Sequence, residues 1–179
     1  MRNFQKIGEG IDVFPVLHAL QRQPELWDQN TLRTTHPGTA HSDVSDIWIF
    51  FNDPTNPEAV INDREVVPFA AWEKLPQLRP IVFNLMRAVE GVQLGRVIIT
   101  RLPPGGRITP HVDGGAPATF YDRYQLMLQC LPGALFRAGS ETVQWKTGDL
   151  FHFDNTVEHE VVNNSADDRI VVIMDIRTA

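Results

Sequence analysis

The apolar side chains of the first half of the chain recur at helical spacing in two segments. Residues 11–28 carry the first of these patterns, and Pro24 is expected to end that helix. Residues 69–89 carry the second and longer pattern, but Pro76 and Pro80 fall inside it. Because each proline removes a backbone donor, the pattern predicts a kink or two shorter helices.

The remaining segments of the first half lack helical periodicity. Residues 47–51 are rich in β-forming side chains and predict a strand. Residues 29–45 are polar, with a turn signal at Pro37-Gly38, and are expected to be irregular. Residues 58–68 are expected to form a surface loop.

From Leu94 onward the pattern becomes that of short strands separated by turns. About eight strands are expected, the first of them over residues 97–101, and a turn signal occurs every 8–12 residues or so, as in sandwiches, jelly rolls and barrels. A Gly/Pro/Ala loop is expected to follow Asp113 and to reach Ala118. We therefore expect a mainly β protein, with helices from the N-terminal half packed on one side of a sheet.

Length and composition favour one domain over residues 1–179. Its N-terminal part, residues 1–93, is expected to contain helices, loops and one or more strands, and residues 94–177 to form the β core. Apolar residues make up 42% of the chain, and the net charge of −6 argues against a basic nucleic-acid-binding face. With Cys130 as the single cysteine, an intrachain disulfide and a cysteine-based zinc site are excluded.

The sequence shows no signal-peptide pattern at its start and no apolar run approaching the roughly 20 residues of a membrane span. We therefore expect a cytoplasmic protein that has neither a nucleic acid nor a membrane as its partner.

One histidine and one aspartate lie two residues apart where a short strand runs into glycines. Because alternate residues of a strand share a face, His111 and Asp113 are expected to point the same way. This arrangement supplies two of the three ligands of a 2-His-1-carboxylate iron site. The remaining ligand is expected farther along the chain, at His152 or His159.

His152 belongs to a second His-x-Asp pair, His152-Phe153-Asp154, which competes with the first. Phe151 and Phe153 alternate with His152, which is typical of packing, so a structural role is predicted for it. His159 lies on the next predicted strand, and Arg169 opens the last one. An arginine at that place is able to bind a carboxylate of a dicarboxylic acid in bidentate fashion.

Three segments resemble the aspartyl/asparaginyl β-hydroxylase family of Fe(II)/2-oxoglutarate-dependent oxygenases. They are Thr109-Pro-His-Val-Asp113, the segment from Thr147 to Val161 and the segment from Arg169 to Arg177. The resemblance covers roughly residues 94–177, and residues 31–49 are similar to the segment that precedes the core in that family. It implies a double-stranded β-helix, that is, a cupin-like jelly roll.

The resemblance also implies roles for individual residues, with Fe(II), 2-oxoglutarate and O₂ as the reactants. The implied iron ligands are His111, Asp113 and His159. Arg169 would bind the distal carboxylate of 2-oxoglutarate. Arg123 and Gln125, on one face of a strand, are the candidates for further cosubstrate contacts, with Arg101 as a weaker third. Some members of the family have glycine in place of Asp113, whereas this chain retains the full triad.

Two interpretations stay open for the polar loop of residues 31–45. Either His36 and His41 are solvated, or the loop covers the metal and contacts a substrate, with Arg33 as a further contact, in which case this loop governs substrate choice.

The resemblance thus implies a dioxygenase that hydroxylates an amino acid, a peptide or a protein side chain and releases succinate and CO₂. The alternatives are a metal-binding cupin that does not use 2-oxoglutarate, such as an isomerase or another dioxygenase, and a non-catalytic binding protein. A buried Arg169 directed at the metal site favours the first function, and an exposed Arg169 favours the cupin.

Overall fold

Two antiparallel sheets of seven and four strands form the centre of the protein. A computed structural model describes residues 2–179, apart from the side chains of residues 57 and 59. The strands are β1 (Phe4–Gly8), β2 (Ser45–Phe51), β3 (Val67–Pro68), β4 (Gly91–Leu102), β5 (Arg107–His111), β6 (Asp122–Gln129), β7 (Ala134–Ala138), β8 (Glu141–Val143), β9 (Leu150–Phe153), β10 (His159–Asn163) and β11 (Arg169–Thr178). The larger sheet has the order β1-β9-β6-β11-β4-β2-β3, and the smaller sheet the order β5-β10-β7-β8.

The helices are short and lie mainly in the first half of the chain. They are α1 (Phe14–Gln21), a 3-10 helix (Pro24–Leu26), α2 (Leu32–Thr35), α3 (Pro57–Asn62), α4 (Ala70–Lys74), α5 (Leu78–Ala88) and α6 (Gly115–Phe120). Among the described residues, no helix has the length and apolar character needed to cross a membrane.

The larger sheet buries both of its faces, because successive side chains of a strand point in opposite directions. On β11, Val172, Met174 and Ile176 pack with the buried residues of α1, α4 and α5. Val171 and Ile173 point the other way, into the space between the two sheets. The predicted jelly-roll architecture, mainly β with helices on one side, is confirmed.

The prolines divide the helical segments as the sequence predicts. Pro76 lies between α4 and α5, so residues 69–89 form two shorter helices. Pro80 lies in the first turn of α5. A backbone N–H at that position has no acceptor within the helix, so the proline removes no helical hydrogen bond. Pro24 lies beyond the end of α1 and begins the 3-10 helix.

Three local expectations were wrong, and one strand was missed. Residues 29–45 are not wholly irregular, since they contain α2. Residues 58–68 are not a plain loop, since they include most of α3 and all of β3. The segment after Asp113 contains α6, and Phe4–Gly8 forms a strand that the sequence pattern did not predict. These elements are held by partners distant in sequence: β1 pairs with β9, and α3 packs against α6.

Candidate metal centre and adjoining cleft

Strand pairing brings the two histidines of the predicted triad together. In the antiparallel pair of β5 and β10, His111 lies directly opposite His159, and the ring centroids are 4.3 Å apart. Asp113 follows the end of β5, and its Oδ1 lies 3.5 Å from Nε2 of His111 and 3.9 Å from Nε2 of His159. One potential ligand atom from each residue lies within 4.8 Å of the others.

The backbone orients both imidazole rings. Nδ1 of His111 lies 2.7 Å from the carbonyl oxygen of Thr109, and Nδ1 of His159 lies 2.9 Å from that of Val157. Each Nδ1–H therefore donates to a carbonyl, which leaves the lone pair of Nε2 available to a metal.

Each histidine has one property that a metal ligand requires. Nε2 of His111 is buried and has no hydrogen-bond partner among the described residues. Burial lowers the pKa of His159, which keeps its imidazole neutral at pH 7. Two imidazoles and one carboxylate are the donor set that fits a divalent iron ion.

Asp113 is fixed by contacts to its second oxygen and its backbone. Oδ2 accepts hydrogen bonds from Arg123 and from Asn155 Nδ2, the latter at 3.3 Å, and the backbone N–H of Asp113 donates to the Asn155 carbonyl. Burial by itself raises the pKa of Asp113, but the charge of Arg123 and the interactions with His111 and His159 together outweigh it and hold this pKa well below its usual value. The carboxylate is therefore ionised, with Oδ1 turned toward the histidines.

Arg123 bridges two carboxylates. Besides binding Asp113, it donates from Nε and Nη2 to Oδ1 and Oδ2 of Asp175, over 2.7 and 2.8 Å. This bidentate pair lies on the inner face of β6 and β11, where Asp175 is opposite Arg123 in the register. Arg123 thus holds Asp113 in position, and its predicted contact with 2-oxoglutarate stays a prediction.

Arg169 is a buried cation with no ion-pair partner. It shares the inner face of β11 with Val171, and 3% of its surface is exposed. Its Nη2 donates to Gln125 Oε1, 3.2 Å away, and no carboxylate of the described residues pairs with it. Burial lowers the pKa of Arg169 to about 10, so the guanidinium is still charged at pH 7. Its position fits an anionic ligand.

One inner cavity, between the two sheets, joins all the residues predicted to form the site. Its lining includes His111, Asp113, Arg123, Gln125, His159 and Arg169. Two other residues considered from the sequence lie elsewhere. Arg101 faces the helical side, 4.4 Å from the Trp27 ring, and His152 packs 5.4 Å from the Tyr124 ring.

The model of the aspartyl/asparaginyl β-hydroxylase family matches residues 17–179. The chain belongs to this family. Its wider fold is that of the Fe(II)/2-oxoglutarate oxygenases, as solved structures of low sequence identity show. A 2OG-Fe(II) oxygenase family protein from Burkholderia pseudomallei superposes with a TM-score of 0.61 at 14% identity, covering 98% of this chain and 84% of that one.

Two prolyl hydroxylases give similar superpositions. The enzyme from Trichoplax adhaerens, solved with a peptide of hypoxia inducible factor, has a TM-score of 0.63 at 14% identity, with 98% of this chain and 83% of that chain covered. A prolyl-4-hydroxylase from Pseudomonas putida has a TM-score of 0.58 at 16% identity, with 99% and 93% covered. These similarities show that this member of the β-hydroxylase family shares the fold of the three solved structures.

In this β-hydroxylase family member, an open cleft of about 390 Å³ adjoins the inner cavity. Asp113, Arg123 and Ile173 line both spaces, so the cleft leads to the triad. The remaining lining residues are Leu32, Arg33, His36, His41, Phe51, Val60, Ile61, Arg96, Ile98, Gly114, Gly115 and Ala118. A volume of this size is typical of small-molecule sites.

The loop of residues 31–45 forms one wall of the cleft. Arg33 is partly buried and forms an ion pair, in which its Nη1 lies 2.9 Å from Oδ2 of the buried Asp46. The ring of His41 lies 4.7 Å from that of His111, and burial lowers the pKa of His41, so it is neutral. His36 is exposed and lines the same cleft. Contact of this loop with a substrate stays a prediction.

Arg96 is a cleft residue that the sequence reasoning missed. It shares the inner face of β4 with Ile98 and Thr100, of which Ile98 also lines the cleft. The strand predicted at residues 97–101 began too late to include it, since β4 starts at Gly91. Extending the strand pattern backward by alternation from Thr100 would have placed Arg96 on this face.

Replacing Gly115 by alanine is expected to destabilise the protein by about 1–3 kcal/mol. Gly115 has φ +85°, and a Cβ there would lie 2.6 Å from the carbonyl oxygen of Ile61 in α3. The substitution therefore strains α6 and pushes away the α3 wall of the cleft. Urea unfolding measures the loss of stability.

Gly114→Ala is the matched control for this prediction. Gly114 has φ −119°, and a Cβ there meets no described atom within 4 Å, so a change below about 0.5 kcal/mol is expected. Equal stability of the two variants would contradict the proposed contact between α3 and α6.

Proposed function

We propose that the protein is an Fe(II)/2-oxoglutarate-dependent dioxygenase that hydroxylates an amino acid, a peptide or a protein side chain. The observation that carries this proposal is Arg169, a buried guanidinium that lacks a counter-charge among the described side chains and lines the same cavity as the triad. A metal site alone does not require such a group, whereas a dicarboxylate cosubstrate does.

The residues divide the tasks of this reaction. His111, Asp113 and His159 would hold Fe(II), which when bound supplies the redox chemistry that activates O₂. Arg169 binds the distal carboxylate of 2-oxoglutarate through two parallel N–H···O bonds. Arg123 keeps Asp113 ionised and oriented.

The overall reaction balances without a further reductant. 2-Oxoglutarate is oxidised to succinate and CO₂, and one oxygen atom of O₂ enters the new succinate carboxylate. The other oxygen atom is inserted into a C–H bond of the substrate, which becomes C–OH. The apolar inner face, with Phe153, Val171 and Ile173, excludes water from this centre.

Two other functions were considered from the sequence: a cupin that does not use 2-oxoglutarate, and a non-catalytic binding protein on the same fold. The exposure of Arg169 discriminates the cupin from the dioxygenase. Its 3% exposed surface and its place beside the triad favour a dioxygenase that uses 2-oxoglutarate. The ionised Asp113 and the unpartnered Nε2 of His111 likewise favour a functional metal site over a decayed one.

Succinate release tests the proposal directly. Purified protein is supplied with Fe(II), O₂ and 2-oxoglutarate, first alone and then with a panel of amino acids and peptides. Slow uncoupled turnover is expected, and the correct substrate class is expected to stimulate it. Absence of both 2-oxoglutarate binding and turnover, across a range of iron loading, would contradict the proposed function.

A further inference from the structure

Arg96 is held in the cleft by neutral groups. Its Nε donates to Oδ1 of Asn52 over 2.7 Å, and its Nη2 donates to the Val60 carbonyl over 2.5 Å. The guanidinium carbon lies 4.4 Å from the centroid of the Phe51 ring, which supports it from one side. These contacts fix the orientation of the guanidinium without neutralising its charge.

The two other arginines of the cleft are neutralised. Arg33 pairs with Asp46, and Arg123 pairs with Asp175 and Asp113. Arg96 has no carboxylate within ion-pair distance among the described residues, and its Nη1 makes no hydrogen bond to them. Arg96 is therefore the cleft arginine whose charge and donor remain available to a ligand.

Leaving this cation without an anion is unfavourable. Burial lowers the pKa of Arg96 to about 10, although the nearby carboxylates of Asp175 and Asp113 act in the opposite direction. The group stays charged at pH 7, and an anion that binds it removes part of the desolvation penalty.

The cleft that Arg96 lines also presents an apolar surface. The cleft residues that supply this surface are Leu32, Phe51, Val60, Ile61, Ile98, Ala118 and Ile173. Asp113, one of the triad, lines the same space. A ligand that binds Arg96 at one end therefore places an apolar body between this arginine and the metal centre.

We propose that Arg96 binds a carboxylate of the substrate, and that the substrate is a carboxylic acid with an apolar body whose C–H bond is directed at the triad. The proposal rests on the proposed function and adds the chemical class of the substrate. The carboxylate belongs either to a free small molecule, such as an amino acid, or to a peptide, at its C-terminus or on an acidic side chain.

Binding without turnover tests this proposal. The protein is loaded with Zn(II) and 2-oxoglutarate, and isovalerate and isovaleramide are titrated separately while chemical shifts of the ¹⁵N-labelled protein are followed. Isovalerate is expected to bind about 30-fold or more tightly than its uncharged amide. Arg96→Gln should lose this preference, Arg96→Lys should retain part of it because the charge remains, and Arg87→Gln, an exposed position on α5, should leave it unchanged.

The outcomes separate the two proposals. Calorimetry first measures 2-oxoglutarate binding to each protein, and its absence from the wild type overturns the proposed function and this inference with it. If 2-oxoglutarate binds normally but the protein binds isovalerate and isovaleramide equally well, the Arg96 assignment alone is overturned. The same holds if isovalerate does not bind. Full preference in Arg96→Gln overturns it as well.

Succinate release then identifies the source of the carboxylate. The standard amino acids are compared with their amides, and short peptides with free C-termini are compared with amidated peptides, with and without an internal glutamate. Stimulation by free amino acids assigns a small-molecule substrate, and stimulation by peptides assigns a peptide carboxylate. Equal stimulation by each acid and its amide overturns the proposal.

Discussion

Replacing His111 by alanine is expected to abolish metal-dependent turnover of 2-oxoglutarate, with a loss of more than about 100-fold in metal affinity. Nε2 of His111 is buried beside Asp113 and lacks a hydrogen-bond partner among the described residues, as expected of an atom that binds a metal. The variant therefore removes a ligand without breaking a side-chain hydrogen bond of Nε2.

The stability of the protein separates loss of the site from loss of the fold. Fe(II) or Co(II) is expected to raise the melting temperature of the wild type, because a ligand that binds the folded state stabilises it. His111→Ala should lose this increase while its metal-free melting temperature stays near that of the wild type. His152→Ala, which alters a histidine packed on Tyr124, should keep the increase. Unchanged turnover in His111→Ala would contradict the ligand assignment.

Replacing Arg169 by methionine is expected to change stability and ligand affinity in opposite directions. The affinity for 2-oxoglutarate should fall by about 100-fold or more, because truncating one partner of a buried charged contact typically costs about 2–5 kcal/mol. The ligand-free protein should gain about 1–3 kcal/mol, since a buried cation without a counter-charge is replaced by an apolar side chain. Calorimetry and urea unfolding measure the two effects.

Two further variants sharpen the Arg169 test. Arg169→Lys keeps the charge but loses the bidentate geometry, so an intermediate affinity is expected. Arg101→Met changes an arginine on the opposite face of the sheet, near Asp168, and should leave 2-oxoglutarate binding unchanged. If Arg169→Met binds 2-oxoglutarate as tightly as the wild type, the cupin function that does without this cosubstrate is favoured instead.

Alternation within strands allowed much of the fold to be predicted. The shift from helical spacing to short strands near Leu94 predicted a mainly β protein with helices on one side, and the family resemblance implied that its core is a jelly roll. Pro76 predicted the division between α4 and α5. The two-residue alternation of a strand places Arg169 with Val171 and Ile173 on the inner face of β11.

Elements stabilised by distant partners escaped prediction. Strand β1 buries only one of its five residues, Phe4, and pairs with β9. Helix α6 begins with glycine and contains a proline. Local periodicity does not predict such pairings, because tertiary contacts override the weak helix or strand propensity of a short segment.

The contacts within the site were likewise beyond the sequence. Arg123 was assigned to 2-oxoglutarate by resemblance, whereas its bridge between Asp113 and Asp175 depends on the register of β6 against β11. Arg96 differs from Arg33 in lacking a carboxylate partner within the described chain, and no sequence pattern distinguishes the two.

The most direct test of a shared metal and cosubstrate site is anaerobic calorimetry of 2-oxoglutarate binding, performed with and without Fe(II). We predict one molecule bound per chain, with an affinity that depends on Fe(II) and is lost in His111→Ala. The assignment of His111, Asp113, His159 and Arg169 to one site would be contradicted if the affinity for 2-oxoglutarate were the same with and without Fe(II). It would also be contradicted if 2-oxoglutarate did not bind at any iron loading.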